Sequence, residues 1–445
     1  MVRVRAILRF GWALTVVAAG SSTALASPEP QALWTVDDVL RDSRSANGRL
    51  PIALFDVAIA REKVSEARAE RWLKVALEGD FIYAPPNGYD PAVTNAGETR
   101  LQVVGRQPIY DGGARRARVL RNEADVDVAG ARYRVAEKDL ELDVRSRYAE
   151  AVQADAEAAA RREGALRLGG YRTSLESRRA SGQGVAADLL KVDVRLATEQ
   201  AAIVDAEGRR DQAKVVLNVL MGREPDAPLA LAPLPPPDGA AVPEGLGIGF
   251  DRVPEVARAA AEAKSAEADL EIARAERKPH VLFSGDVGFL GSDTSRLVPA
   301  DLRASDPDAN FGDRIHRDLG YSFTLSLSLP IWDAGAIRSR VRQAELRLQS
   351  AERGVAFQKQ ESRRQSAQAL ASQRNIREQI RILSDAAPSA RDSYLEAESR
   401  YRGGAATSLE VLDAYAASVD AAVRLSEALS RYRIAQAVAQ RWSTP

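Results

Sequence analysis

The short stretch "PIYDGG" at 108–113 recurs almost unchanged as "PIWDAG" at 330–335. Each copy follows alternating apolar residues and precedes a long run with helical spacing. Proline cannot donate to a sheet ladder, aspartate can cap a new helix, and glycine permits a tight joint. The sequence therefore predicts one strand-to-helix junction made twice. Its residues are Pro108, Asp111, Gly113, Pro330, Asp333 and Gly335.

Other landmarks recur in the same order on both sides of the chain. "RAER" stands at 68–71 and 274–277, and the Gly-containing "GVAADLL" from 184 is echoed by "GAATSLE" from 404. Self-similarity of this kind indicates two copies of one structural unit. The predicted division is a signal peptide at 1–26, a first structural repeat at 27–225, a Pro/Gly-rich linker at 226–249 and a second structural repeat at 250–445.

The first residues are typical of a secretory signal peptide. Arg3, Arg5 and Arg9 precede an apolar run that ends in Ala24-Leu25-Ala26, so we expect cleavage after Ala26. The chain has no cysteine, which a lipid-anchored N-terminus requires, so we do not expect a lipoprotein. Basic and acidic residues number 62 each, and this balance disfavours nucleic acid as a partner.

Two pairs of strands are predicted, one pair in each repeat. "YSFTLSLSLP" at 321–330 alternates apolar and small polar residues throughout, and "VLFSGDVGF" at 281–289 alternates nearly as well. Weaker versions stand at 75–84 and 101–110. A soluble sheet with one buried face is possible, but strands of about ten residues with an apolar face fit an outer-membrane barrel wall. Because the smallest membrane barrels have about eight strands, the chain would have to oligomerise.

Long helices are predicted after both junctions. No proline occurs between Gly113 and Pro225, and a helix over 114–180 would be about 100 Å long. Gly-rich breaks at 180–184 and 402–404 predict that each long helix turns back as a hairpin. Ala-rich positions with four-three spacing predict the packing seams of these helices. The seam positions are 124, 128, 131, 135, 142, 149, 152, 156, 159 and 166, and then 341, 344, 348, 351, 355, 369, 376 and 383.

Together these features resemble the TolC-type outer-membrane efflux proteins, most specifically in "RYRGGAATSLEVLDA" at 400–414. The resemblance implies a mixed α and β membrane protein: a trimeric 12-stranded transmembrane β-barrel, four strands per chain, continuous with a long periplasmic α-helical barrel. It implies the channel subunit of a tripartite efflux or type I secretion system, a passive exit duct in the outer membrane of a Gram-negative bacterium. The implied partners are two further copies, a periplasmic adaptor (membrane fusion protein) and an inner-membrane pump of the RND, ABC or a similar class. The alternative is a secreted coiled-coil periplasmic scaffold or adaptor without a pore.

The resemblance also implies roles for particular residues. Glu410 and Asp413 match carboxylates that ring the family's pore constriction, and their spacing places both on one helix face. Two solvated surface acids are the plainer interpretation. Ala406 and Leu190 replace residues of the TolC salt-bridge latch, so we do not expect that latch. The helical tips that contact the adaptor would comprise Ser181, Gly182, Gly184, Gly403, Gly404, Ser408 and Leu409.

Hinges for tip dilation are predicted from the residues themselves. Gly169, Gly170 and Pro388 lie at similar distances before the two tips, and both residue types weaken a helix. Catalysis is not expected, because His280 and His316 are isolated and the chain has no cysteine. For the same reason neither a metal site nor a cofactor is predicted.

Overall fold

The computed structural model describes residues 33–82, 98–182, 185–237, 250–292, 298 and 300–443, so the predicted signal peptide and the second half of the predicted linker, 238–249, lie outside the described residues. The helices are α1 (Val36–Ala46), α2 (Arg49–Ala69), α3 (Ala114–Ala180), α4 (Ala186–Leu220), α5 (Pro254–Ala275), α6 (Ala300–Ser305), α7 (Phe311–Asp318), α8 (Ala336–Arg402) and α9 (Ser408–Ser443). The strands are β1 (Lys74–Ile82), β2 (Glu98–Tyr110), β3 (His280–Ser292) and β4 (Leu319–Ser328).

The two long helices begin and end near glycine residues. Both α3 and α8 have 67 residues and start directly after a glycine in the left-handed conformation. They end before Gly182 (φ +79°) and Gly404 (φ +78°), which reverse the chain into α4 and α9. Glycine is favoured there because a side chain strains the left-handed conformation. Each repeat therefore forms an antiparallel helical hairpin.

The strands form one antiparallel sheet in the order β1-β2-β3-β4. The helices attached to them pack in the same order, with contacts between α2 and α3, α3 and α5, and α5 and α8. The sheet thus continues directly into a layer of helices. Both β1 and β4 are edge strands within the chain, and α2 and α8 lie at the corresponding edges of the helical layer.

The core is spread along the helices as separate clusters of small and aromatic side chains. The predicted seam of α3 is right at Ala124, Val128 and Ala131 but wrong towards the tip, where Leu166 is exposed and Leu168 is buried instead. A straight helix drifts by about 20° per heptad against a strict seven-residue repeat, so a fixed four-three spacing loses the packed face over many turns.

Between β3 and β4 the second repeat contains the two short helices α6 and α7. Asn310 caps α7 by accepting hydrogen bonds from the backbone amides of Gly312 and Asp313. Among the described residues, every helix falls short of the combined length and apolarity that a membrane-crossing helix needs.

Candidate functional site

The two faces of the sheet differ in chemistry. One face is apolar and largely exposed: Tyr321 is 77% and Phe323 70% exposed. The opposite face carries polar pairs, among them Arg106 Nη1 with Glu78 Oε1 at 2.6 Å. On the same face Asp286 accepts hydrogen bonds from other strands, namely from Gln102 Nε2 at 3.2 Å and Ser322 Oγ at 2.6 Å. A sheet with this pattern can separate lipid from an aqueous interior.

The first junction, between β2 and α3, is braced on several sides. Asp111 accepts hydrogen bonds from the backbone amides of Gly113 (3.2 Å) and Arg115 (2.8 Å). Burial opposes ionisation of Asp111, but these amides and the Arg115 guanidinium outweigh it and lower the pKa of the carboxyl group. Lys278 Nζ donates to the carbonyl of Gly112 at 2.9 Å, which ties the junction to the end of α5.

Pro108 does not end β2, contrary to the prediction. The strand runs on to Tyr110, and its register against β3 shifts between Pro108 and Tyr110. A bulge disrupts the ladder locally, so the missing N–H of a proline is tolerated there. The carbonyl of Pro108 accepts hydrogen bonds from Arg115 Nη1 at 2.7 Å and from Gln107 Nε2 at 3.2 Å.

The second junction repeats the aspartate cap of the first. Asp333 accepts hydrogen bonds from the amides of Gly335 (3.0 Å) and Ile337 (2.5 Å). The hydrogen bond from Ile337 is the main reason that the pKa of Asp333 is lowered. Pro330 lies just beyond the end of β4, and its neighbour Trp332 is strongly exposed. The same local chemistry therefore starts α3 inside the layer and α8 at its edge.

The hairpin of α3 and α4 is held by a buried ionic network. Glu157 and Glu199 are almost fully buried, and Arg161 bridges them at 3.0 and 3.1 Å. Arg195 and Arg209 complete the network at 3.0 and 2.9 Å. Burial disfavours the charged form of Glu157, but the hydrogen bonds from Arg161 and Arg209 outweigh it and lower the pKa of this carboxyl group.

Aromatic side chains join the two hairpins near the tips. Tyr171 and Tyr401 meet edge to face with ring centres 5.2 Å apart, and Tyr394 and Tyr415 do so at 5.9 Å. Burial raises the pKa of Tyr394 to about 12. We call the buried residues here the tip cluster, because α3, α4, α8 and α9 all contribute. They are Leu168, Tyr171, Leu175, Val192, Tyr394, Val411, Tyr415, Val419 and Val423.

Arg178 links the end of α3 to the end of α8, a contact that the sequence analysis did not predict. Its guanidinium donates to the carbonyls of Tyr401 (3.1 Å) and Arg402 (2.8 Å), and its central carbon lies 5.0 Å from the centre of the Tyr401 ring. The last carbonyls of a helix lack partners within the helix, so a cation beside them is favourable.

The predicted constriction residues both lie on the exposed side of α9. Glu410 also forms a capping box with Thr407: its carboxylate accepts from the Thr407 amide (3.3 Å) and hydroxyl (3.1 Å), and its own amide donates to that hydroxyl at 3.3 Å. Asp413 is exposed one turn further along. The spacing of Thr407 and Glu410 is the usual sequence pattern of a capping box, so the capping of α9 can be predicted from the sequence.

The predicted tip residues separate into exposed and buried ones. Ser181, Gly182, Gly403, Gly404 and Leu409 are exposed, and Gly184 lies outside the described residues. Ser408 is buried beside the tip cluster, so its side chain is not presented to a partner. The burial follows from helix geometry, because Ser408 and Val411 lie on one face of α9 and Leu409 on the other.

The predicted hinge residues lie within unbroken helices. Gly169 and Gly170 are in α3, and a methyl group added at either would meet open space. Pro388 is inside α8, which continues through it to Arg402. His280 begins β3 and His316 is on α7, and within the described parts of the chain there is no group of His, Cys, Asp and Glu residues fit to hold a metal ion.

This architecture, a sheet with one lipid-compatible face continuing into paired helical hairpins, defines the protomer of an outer-membrane channel. Residues 39–223 and 251–440 match the family described as "Outer membrane efflux protein". The chain therefore belongs to the outer membrane efflux protein family, and it lies in the outer membrane of a Gram-negative bacterium and extends into the periplasm.

Individual relatives are distant in sequence and close in fold. Outer membrane protein OprJ of Pseudomonas aeruginosa is 27% identical over 252 residues, 55% of this chain and 48% of OprJ, so the chain spans about half the length of this relative. The structure of VceC from Vibrio cholerae superposes with a TM-score of 0.76 at 18% identity, covering 92% of this chain and 96% of VceC. The CmeC channel of Campylobacter jejuni gives 0.78 at 15% identity, covering 92% and 85%. These likenesses confirm the predicted fold class.

Proposed function

We propose that the chain is the channel subunit of a tripartite efflux or type I secretion system and acts as a passive exit duct across the periplasm and the outer membrane. One observation carries the proposal: the apolar face of the sheet is largely bare, and the strands continue into a layer of helices that has the same order. A sheet with two open edges and a bare apolar face needs copies of itself and lipid to satisfy it.

Three copies would join β4 of one protomer to β1 of the next and so close a barrel of twelve strands, above the lower limit of about eight. In that ring the α2 and α8 edges of the helical layer also meet between protomers. A periplasmic adaptor and an inner-membrane pump of the RND, ABC or a similar class would complete the pathway. The duct itself performs no catalysis in this proposal.

The alternative, a scaffold or adaptor without a pore, requires the sheet to be a small soluble one. Its apolar face would then be covered by the helices of the chain, since a soluble protein rarely leaves a large apolar patch in water. Tyr321 and Phe323 instead project from the sheet without cover. The exposed face therefore favours the channel.

Fractionation of cells that express the protein tests the proposal. We expect the chain in the outer-membrane fraction as a detergent-resistant trimer, and its deletion should raise intracellular accumulation of the exported compound. Recovery as a folded monomer in the soluble periplasmic fraction would refute the channel and support the scaffold. A double substitution on the apolar face, Phe323→Asp with Leu325→Asp, should abolish membrane insertion, whereas Thr324→Asp with Ser326→Asp on the polar face should be tolerated.

We further propose that Glu410 and Asp413 form the acidic ring of the pore constriction. Both side chains are exposed near the tip, and threefold symmetry would gather six carboxylates, which favour cations. Glu410→Gln with Asp413→Asn should reduce cation selectivity in planar bilayers. Glutamine can still complete the capping box with Thr407, so the start of α9 is kept.

Asp420→Asn provides the matched control for that experiment. Asp420 is exposed on the same helix but further from the tip, and it pairs with Arg424 at 2.8 Å. Its loss should leave the reversal potential unchanged. If the double variant kept the cation selectivity of the wild type, Glu410 and Asp413 would be ordinary surface acids.

The exposed tip residues are proposed as the adaptor contact. Leu409 is the one large apolar side chain among them and is well exposed. Leu409→Asp should weaken co-purification of the adaptor, because it places a charge in an apolar contact. Leu166→Asp is the control, because this leucine is even more exposed (78% against 57% for Leu409) and lies away from the tip. Equal adaptor recovery with both variants would exclude Leu409 from the contact.

The hinge proposal rests on residues that weaken helices within α3 and α8. Gly169→Ala, Gly170→Ala and Pro388→Ala together should stiffen the helices and lower both channel opening and export. Gly130→Ala is a suitable control, because Gly130 lies in the same helix and a methyl group there also meets open space. Unchanged opening and export in the triple variant would eliminate the hinges.

A further inference from the structure

The inserted helix α7 lies against the outside of the sheet. The central carbon of the Arg314 guanidinium is 5.7 Å from the centre of the Phe289 ring, and a Cβ added to Gly291 would come within 2.9 Å of Arg314 Nη2. Phe289 and Gly291 alternate onto the same face as Phe323, by the register of β3 against β4. The contact is therefore on the apolar face and outside the polar interior.

Arg314 fixes the helix in this position. The residue is only 4% exposed, and its Nε lies 3.4 Å from Asp318 Oδ2. The packed side of α7 thus contains a paired charge that covers Phe289. The contact occurs towards the end of β3 that is remote from α5, because β3 begins at His280 directly after that helix. In a membrane barrel this end is the outer rim.

The side of α7 adjacent to its packed side is apolar and exposed. Phe311 and Ile315 are four residues apart, share one side of the helix and are 50% and 39% exposed. His316 is exposed on a different side. Directly after α7, β4 begins with the exposed Leu319 and Tyr321, so the apolar side of the helix continues the lipid-facing surface of the sheet.

We propose that α7 is an interfacial helix that inserts Phe311 and Ile315 into the outer leaflet of the membrane around the barrel rim. The inference rests on the proposed function, because it requires the sheet to span the membrane. An amphipathic helix in the plane of the interface buries its apolar side at the level of the headgroups, where aromatic residues also concentrate. The continuity of this side with the lipid-facing strands favours lipid over a neighbouring protomer.

Single labels can test the position of α7, since the chain has no cysteine. Phe311→Cys and Ile315→Cys would each carry an environment-sensitive fluorophore in the trimer, reconstituted in phospholipid vesicles. His316→Cys is the control for the water-facing side and Phe323→Cys the control for a lipid-facing strand. Quenching would be compared between aqueous iodide and lipids brominated near the headgroup end of the acyl chain.

We expect bromolipids to quench labels at 311 and 315 several-fold more strongly than the label at 316, and iodide to show the opposite order. If 311 and 315 were quenched by iodide while 323 was quenched by bromolipid, α7 would stand clear of the membrane and the inference alone would fail. Protection of 311 and 315 from both quenchers would assign this side to a neighbouring protomer and would also overturn it. Exposure of the 323 label to iodide would refute the membrane-spanning sheet itself.

Discussion

Replacing Arg178 with alanine should loosen the link between the two hairpins at the tip. The side chain donates to two carbonyls at the end of α8 and covers the Tyr401 ring. Because the contact is partly exposed, its loss costs about 1 kcal/mol per protomer, the value of an ordinary hydrogen bond and less than that of a buried charged donor. Three protomers acting together would lose about 3 kcal/mol, which shifts the ratio of open to closed tips by roughly a hundredfold.

Planar-bilayer recordings of the purified trimer can measure this shift directly. The Arg178→Ala channel should spend more time in high-conductance states, and cells that carry it should admit more of a bulky hydrophilic antibiotic. Arg178→Lys should have an intermediate effect, since lysine retains the charge but lacks the planar guanidinium that reaches both carbonyls. Arg179→Ala is the matched control, because Arg179 is exposed in the same last turn of α3.

The reasoning depends on the two tips separating when the channel opens. Equal conductance and equal antibiotic uptake in wild type and Arg178→Ala, with the trimer intact, would show that they do not separate at this contact. The same conclusion would follow if Arg179→Ala opened the channel as much as Arg178→Ala, because general loss of positive charge would then be responsible.

Four further substitutions test the junctions and the first hairpin. Ala334 has a left-handed backbone (φ +53°), so Ala334→Gly should raise the Tm by removing about 1 kcal/mol of strain. Gly112→Ala should lower the Tm, because the added Cβ would meet backbone and side-chain atoms at 2.8 Å. Because the pKa of Asp333 is lowered in the folded state, its carboxylate stabilises the protein above about pH 4, and this stability is lost as the pH falls through the folded-state pKa. Asparagine can also cap a helix but does not titrate, so Asp333→Asn should reduce the fall in Tm at acid pH. Glu199→Gln should lower the Tm by the equivalent of about 1–2 kcal/mol, because Arg161 and Arg195 each lose a charged partner, although both are partly exposed and Arg161 keeps Glu157.

Much of the fold could be predicted because glycine and proline residues show where the helices and strands begin and end. The bounds 114–180 for the first long helix follow from a glycine before it, a glycine after it and no proline between. The alternation in 321–330 likewise shows which face of β4 is apolar. These signals are local, so they need no knowledge of neighbouring elements.

The features that could not be predicted depend on distant partners. Pro108 is tolerated within β2 because of a bulge, and the bulge exists only in the register of β2 against β3. Arg178 contacts carbonyls more than 200 positions away, and nothing in its own neighbourhood distinguishes it from Arg179. The prediction places Ser408 on the tip surface, but the side chain is buried, because sequence spacing does not show which side of α9 faces the tip cluster.

The difference between the two junctions follows from where each lies in the sheet. The first joins interior elements, β2 and α3, so Arg115 and Lys278 can brace it within the chain. The second follows the edge strand β4 and leaves Trp332 exposed, while Trp72, just before the other edge strand β1, is exposed too. Both tryptophans lie at the helical end of the sheet, and closing β4 onto β1 of the next copy would bring them side by side. The exposed side of the second junction is thus the form expected of a corner that is completed between protomers.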